Sequence, residues 1–180
     1  PNKNYLHYGI DNLVITHPHG DHISDIQMIH DEIGFFLLTG NYLPFIDKLD
    51  IDKIDFRKRN KDAACKFKKI VKNYCGQYVK SEDRISLAEL AEPTCVVKKA
   101  RFLNYQENID FNNLSWFVTL EIANQKVLFT GDITSSGISK ILKSPKADLF
   151  KNFVQGTTIL KIPHHGRENG YYKAVFDHCN

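Results

Sequence analysis

Three imidazoles and a carboxylate fall within six consecutive residues, His17-Pro18-His19-Gly20-Asp21-His22. Pro18 constrains the backbone and Gly20 permits a sharp bend, so the segment reads as a turn that makes its polar side chains converge. Imidazole nitrogen and carboxylate oxygen are the donors zinc takes at catalytic sites, where one position stays open for water. Four such donors exceed the needs of one open site. Two divalent ions sharing them fit better, with a bridging carboxylate holding the ions a few ångströms apart. Asp132, in Gly131-Asp132, is the candidate bridge. Water held between the ions would lose a proton near neutral pH, and the resulting bridging hydroxide would attack a carbonyl or phosphoryl group polarised by the metals. Hydrolysis is the expected reaction. Asp21 could also orient the attacking water, and His164 or His165, from a third polar segment, could protonate the leaving group. Neighbouring side chains at a strand end point to opposite sides, so one of that pair is expected to face the metals. The donor set favours zinc, while manganese or iron(II) fits the same mixed ligands.

These groups need elements to carry them. Ile10 to Thr16 is a short β-branched run that reads as a buried strand delivering the histidine turn. Ile23, Ile26, Ile29 and Ile33 then recur at near-helical spacing, predicting a helix with one face on a sheet. Phe35 to Leu38 reads as a strand, and Asn60 to Gly76 as a helix with Ala64, Phe67, Ile70, Val71 and Tyr74 on one stripe and lysines opposite. Short strands are expected at Ile85 to Leu87 and Cys95 to Val97. Ser115 to Ile122 and Lys126 to Thr130, joined through Ala123-Asn124-Gln125, predict a hairpin feeding Gly131-Asp132. Thr134, Ser135 or Ser136 can cap a helix through Ile138, Ile141 and Leu142, which Ser144-Pro145 helps to end. A last strand, Thr158 to Pro163, leads into His164-His165-Gly166. Three strands thus end at candidate ligands, and the pattern is α/β.

A chain of 180 residues, 42% hydrophobic, has apolar material for one compact domain. A net charge of +3 is too small to name a nucleic-acid partner by itself. The excess is concentrated in Arg57 to Lys61 and in Lys66, Lys68, Lys69 and Lys72, a stretch that reads as a solvated helix face able to collect an anion. Cys65, Cys75, Cys95 and Cys179 show no paired spacing and read as ordinary thiols. No stretch has the apolar length of a membrane span and the N-terminus lacks a signal-peptide layout, which favours a soluble and cytoplasmic protein. Because the chain starts at Pro1, an upstream targeting segment would change that compartment. Nothing in the sequence speaks to oligomeric state.

Three segments in this order resemble the metallo-β-lactamase superfamily: Thr16 to His22, Leu128-Phe129-Thr130-Gly131-Asp132, and Leu160-Lys161-Ile162-Pro163-His164-His165-Gly166. Within it they resemble the hydrolase domain of the competence-type DNA-uptake proteins called ComEC and its stand-alone relatives, as do Asn112-Asn113-Leu114-Ser115 ahead of the hairpin. The resemblance runs from about Tyr5 to Gly166 and is loose in the lysine-rich middle. It implies a four-layer αββα sandwich of two sheets, with His17 and His19 on a first metal, Asp21 and His22 on a second, and Asp132 bridging. His164 or His165 would supply a ligand or a proton donor. The family opens with strands upstream of its histidine turn and closes with a further strand and a late ligand histidine. This sequence carries neither, so the sandwich is expected to be truncated at both ends, and His178 is a poor substitute for the late ligand. His30, eight residues past His22, lies about 12 Å along the predicted helix and is expected to cap or pack.

Three functions follow from these residues. The first is hydrolysis of a phosphodiester, in a small molecule or in nucleic acid, as the resemblance implies. A second keeps the metals and takes an ester, lactone, thioester or β-lactam, since activated water attacks phosphorus and carbonyl carbon alike. A third is a degenerate domain that binds metal or merely folds and serves as an interaction module.

Overall fold

The computed structural model describes residues 10–39, 58–73, 95–103 and 110–179. The chain is mixed α/β and divides into two compact units, Pro1–Arg84 and Ile85–Asn180. The expected strand at Ile85 to Leu87, the stripe residue Tyr74 and Cys75 lie outside the described residues.

In the first unit, β1 (Ile10–Val14) pairs in parallel with β2 (Phe35–Thr39), with Asn12 opposite Leu37 and Val14 opposite Thr39. Parallel pairing needs a crossover, and the segment between the strands supplies it as helical pieces. The expected continuous helix is instead broken into α1 (Gly20–Ile23), α2 (Ile26–Met28) and a π turn, Ile29–Ile33. The wide turn closes when the Gly34 amide donates to the Ile29 carbonyl, five residues back. That changes the phase of the isoleucine stripe: Ile23 and Ile26 are buried, but Ile33 is rotated out to 43% exposure. His30 is exposed, bonded to Asp31 and edge-on to Phe35, so it packs at the surface and caps nothing. The lysine-rich helix forms as α3 (Lys58–Asn73), burying Ala64, Phe67, Ile70 and Val71 against Ile15, Ile23 and Ile26.

In the second unit a sheet runs in the order β3 (Cys95–Ala100), β4 (Phe117–Ile122), β5 (Gln125–Phe129), β6 (Ile159–Lys161). The first three strands are antiparallel and β6 is parallel to β5. The hairpin turns on Ala123 and Asn124, both left-handed at φ 44° and 66°, which suits the right-handed twist of the strands. Gln125 already belongs to β5, so the turn is one residue shorter than the sequence suggested. Between β5 and β6 lie α4 (Ser135–Leu142) and α5 (Ala147–Val154), and α6 (Lys173–Cys179) follows β6. Their apolar faces meet one face of the sheet in a core of Phe102, Phe117, Leu128, Ile138, Ile141, Phe150 and Val154. Phe102, Phe117 and Phe150 pack mutually edge to face, with ring centroids 5.2 to 5.6 Å apart. Among the described residues no helix is long and apolar enough to cross a membrane.

Candidate metal centre

The histidine turn leaves β1 through Ile15, whose amide donates to the Thr39 carbonyl on β2 and so anchors the turn to the sheet. His17 is fully buried at the start of the turn, its Nδ1 3.1 Å from the Thr16 hydroxyl. The chain then winds into α1, where the His22 amide donates to the His19 carbonyl. This folding brings the three rings together: His17 lies 4.8 Å from His19 and 4.1 Å from His22, centroid to centroid. Packed apolar side chains would explain such proximity in a core, but imidazoles gain little from burial alone. Asp21 points outward at 63% side-chain exposure, one carboxylate oxygen 3.9 Å from His22 Nε2. The four residues singled out from sequence in this segment are therefore gathered by one short turn of the first unit.

In the second unit, β5 delivers Thr130, Gly131 and Asp132. Gly131 sits at φ 59°, a left-handed conformation that a side chain would strain, and the reversal carries Asp132 into a position only 2% exposed. The Asp132 amide donates to Ser115 Oγ at 3.0 Å, and the Thr134 amide and hydroxyl both donate to Asn113 Oδ1, at 3.1 and 2.8 Å. Thr134 is also the residue that caps α4, its hydroxyl accepting from the Gly137 amide. From the other side, the Gly131 carbonyl accepts from the His164 amide.

His164 and His165 are both left-handed, at φ 49° and 53°, a conformation uncommon for residues other than glycine. The pair lies in a turn beyond the end of β6, so strand alternation does not set the directions of the two side chains. His164 is buried, with an Nδ1 that has no hydrogen-bond partner among the described residues, and Gly170 packs so closely on it that a Cβ there would lie 2.9 Å from the His164 Cβ. His165 is about half exposed, with Nε2 2.9 Å from Asp132 Oδ2. Lys161 approaches the other carboxylate oxygen at 3.9 Å. Asp21 and His22 of the first unit, and Asp132 and His165 of the second, carry donor atoms that could take up a metal ion. No family model and no curated protein matches the chain. The geometry and the residues therefore carry the functional reading.

Three residues beside Asp132 received no role from sequence. Ser115 and Asn113 stood in a segment noted for resemblance, and only the fold shows that they accept bonds from the carboxylate's own loop. Lys161 stands within the third motif, three residues before His164, and approaches the carboxylate from the end of β6. His178 lies on α6 beside Lys151, Gln155 and Asp177, and takes no part in the Asp132 group.

Proposed function

We propose that this protein is a metal-dependent hydrolase of the metallo-β-lactamase type, acting on a phosphodiester. The observation that carries the reading is the three-imidazole turn: His17, His19 and His22 lie ring to ring on six residues of chain, an arrangement that packing does not reward and a divalent ion does. The donor chemistry fits such an ion, and the buried Nδ1 of His164 is a polar atom for which the described residues offer no hydrogen bond.

On this reading the residues that would hold the ions are His17, His19, Asp21 and His22 of the first unit and Asp132 of the second, and the fold it implies is a four-layer αββα sandwich. Bound divalent ions, zinc foremost, supply a water that ionises near neutral pH and a Lewis acid for the phosphoryl oxygen. The chain's own residues do the rest. Asp21, exposed at the mouth of the histidine turn, orients the attacking water. Asp132 fixes the His165 ring through Nε2, and the half-exposed imidazole can carry a proton to the leaving oxygen. Lys161 places a cation beside the reacting region, and Lys66, Lys69 and Lys72 form an exposed basic face on α3 suited to a phosphate-bearing substrate.

Metal content per chain, on protein purified without added metal, tests this in the wild type, His19→Ala and Asp132→Ala. Near two equivalents, falling in both variants, is the expected result. Folded protein that takes up neither zinc nor manganese overturns the reading. With metal present, phosphodiester binding that weakens steeply with added salt supports a polyanionic substrate.

A further inference from the structure

We propose that Ser115 and Asn113 are positioning residues that set how tightly Asp132 engages a divalent cation; the proposal rests on the metal-binding reading above. Asp132 lies on a loop between β5 and α4, and a carboxylate on a loop is only as well placed as its backbone. Two strand-end segments hold this one. Ahead of β4, Ser115 Oγ takes the amide of Asp132 itself, and Asn113 Oδ1 takes two donors from Thr134 two residues on. Beyond β6, the His164 amide takes the carbonyl just before Asp132. The loop is thus fixed at the residue before the carboxylate, at the carboxylate's own amide, and two residues after it.

Ser115 is 1% exposed and Asn113 2% exposed, on either side of Leu114, which is itself 1% exposed. Polar groups at such positions cost free energy unless bonded, and an apolar residue would serve the packing better. Bonds that offset this cost run to the loop from Asp132 to Thr134. The Asn113 turn is itself secured, since its amide donates to the Asp110 carbonyl while Asp110 accepts from Asn112. Gly137 leaves room for Asn113: a Cβ at 137 would fall on its Oδ1. Ser115 therefore holds the backbone of the buried carboxylate directly, and Asn113 holds it two residues on, at Thr134. α4 does not require this arrangement, because Thr134 caps it without Asn113.

Zinc affinity, read by competition with a chromophoric chelator, is compared among wild type, Ser115→Ala and Ser115→Thr, alongside urea unfolding of the metal-free proteins. Ser115→Ala should weaken zinc binding by about tenfold or more, the range seen for partners of metal ligands, and Ser115→Thr, which keeps Oγ, should bind close to wild type. If Ser115→Ala does not fold, Asn113→Leu and Asn113→Asp read the same brace at Thr134. Leucine removes the acceptor oxygen and should weaken zinc; aspartate keeps it and should restore binding. Variants that lose stability yet bind zinc as tightly as wild type overturn the proposal and leave the brace structural. A folded wild type that binds no zinc overturns the metal reading instead, so the two failures are distinguishable.

Discussion

Replacing Gly137 with alanine sets two effects of opposite sign against each other. Gly137 is buried inside α4, where alanine is intrinsically the better helix former by about 1 kcal/mol. The added methyl, however, would fall on Asn113 Oδ1 and come within 2.7 Å of both Asn113 Cγ and Ile133 Cδ1. Ile133 is fully buried and Asn113 nearly so, and the Asn113 oxygen already accepts two bonds from Thr134. If the amide turns away, two hydrogen bonds are lost at about 1 kcal/mol each; if it stays, overpacking costs roughly 1–3 kcal/mol. Overlap with buried atoms puts the steric cost in the upper half of that range, so less the helix gain Gly137→Ala should be destabilised by roughly 1–2 kcal/mol. Urea unfolding followed by circular dichroism reads this as a lower midpoint at unchanged slope. Stability equal to or above wild type would mean that Asn113 does not occupy the place described and would refute the reasoning.

Ala123 is an alanine in a left-handed turn position, so Ala123→Asn should stabilise the hairpin by roughly 0.5–1 kcal/mol; a lowered thermal midpoint would contradict the turn. Phe150, fully buried among Phe102 and Phe117, should cost about 3–5 kcal/mol when truncated to alanine, measured by urea unfolding. Cys65 is exposed while Cys179 is buried, and burial pushes the Cys179 thiol above its usual range. Maleimide labelling at pH 8 followed by peptide mapping should therefore modify Cys65 first, and equal rates would count against the burial of α6. The same shift links to stability: the neutral Cys179 thiol contributes fully below its unfolded-state pKa, and that contribution is lost as pH rises through the raised folded-state value. Lys126, whose ammonium burial holds below its usual range, acts in the opposite sense, and the difference between wild type and Cys179→Ala reads the thiol together with its attraction for Lys126.

The elements that sequence predicted most clearly are those whose signal is local. The alternation through Phe117 to Ile122, the reversal at Ala123-Asn124 and the cap at Thr134 are each set by a few adjacent residues, and each forms. The α3 stripe holds for the same reason, since Ala64, Phe67, Ile70 and Val71 recur at the helical period without interruption. The helix after His22 differs from expectation because the isoleucine period does not reveal that it breaks at Ser24-Asp25 or widens at Ile29. At the site, the clustering of His17, His19 and His22 was legible because six residues contain it. The roles of Ser115, Asn113 and Lys161 were not, because each acts on Asp132 from a distant segment and nothing in its own neighbourhood shows that.

This contrast between local and assembled groups bears on how zinc would stabilise the protein. His17, His19 and His22 remain near one another even in an unfolded chain, so on the proposed reading they bind zinc there as well. The seat of Asp132 exists only once segments from Asn113 to His164 have come together, so it offers the unfolded chain nothing comparable. A ligand raises stability only by its preference for the folded state over the unfolded one. Zinc should accordingly raise the unfolding midpoint by less than its affinity for the folded protein would suggest, and the carboxylate half supplies most of that preference.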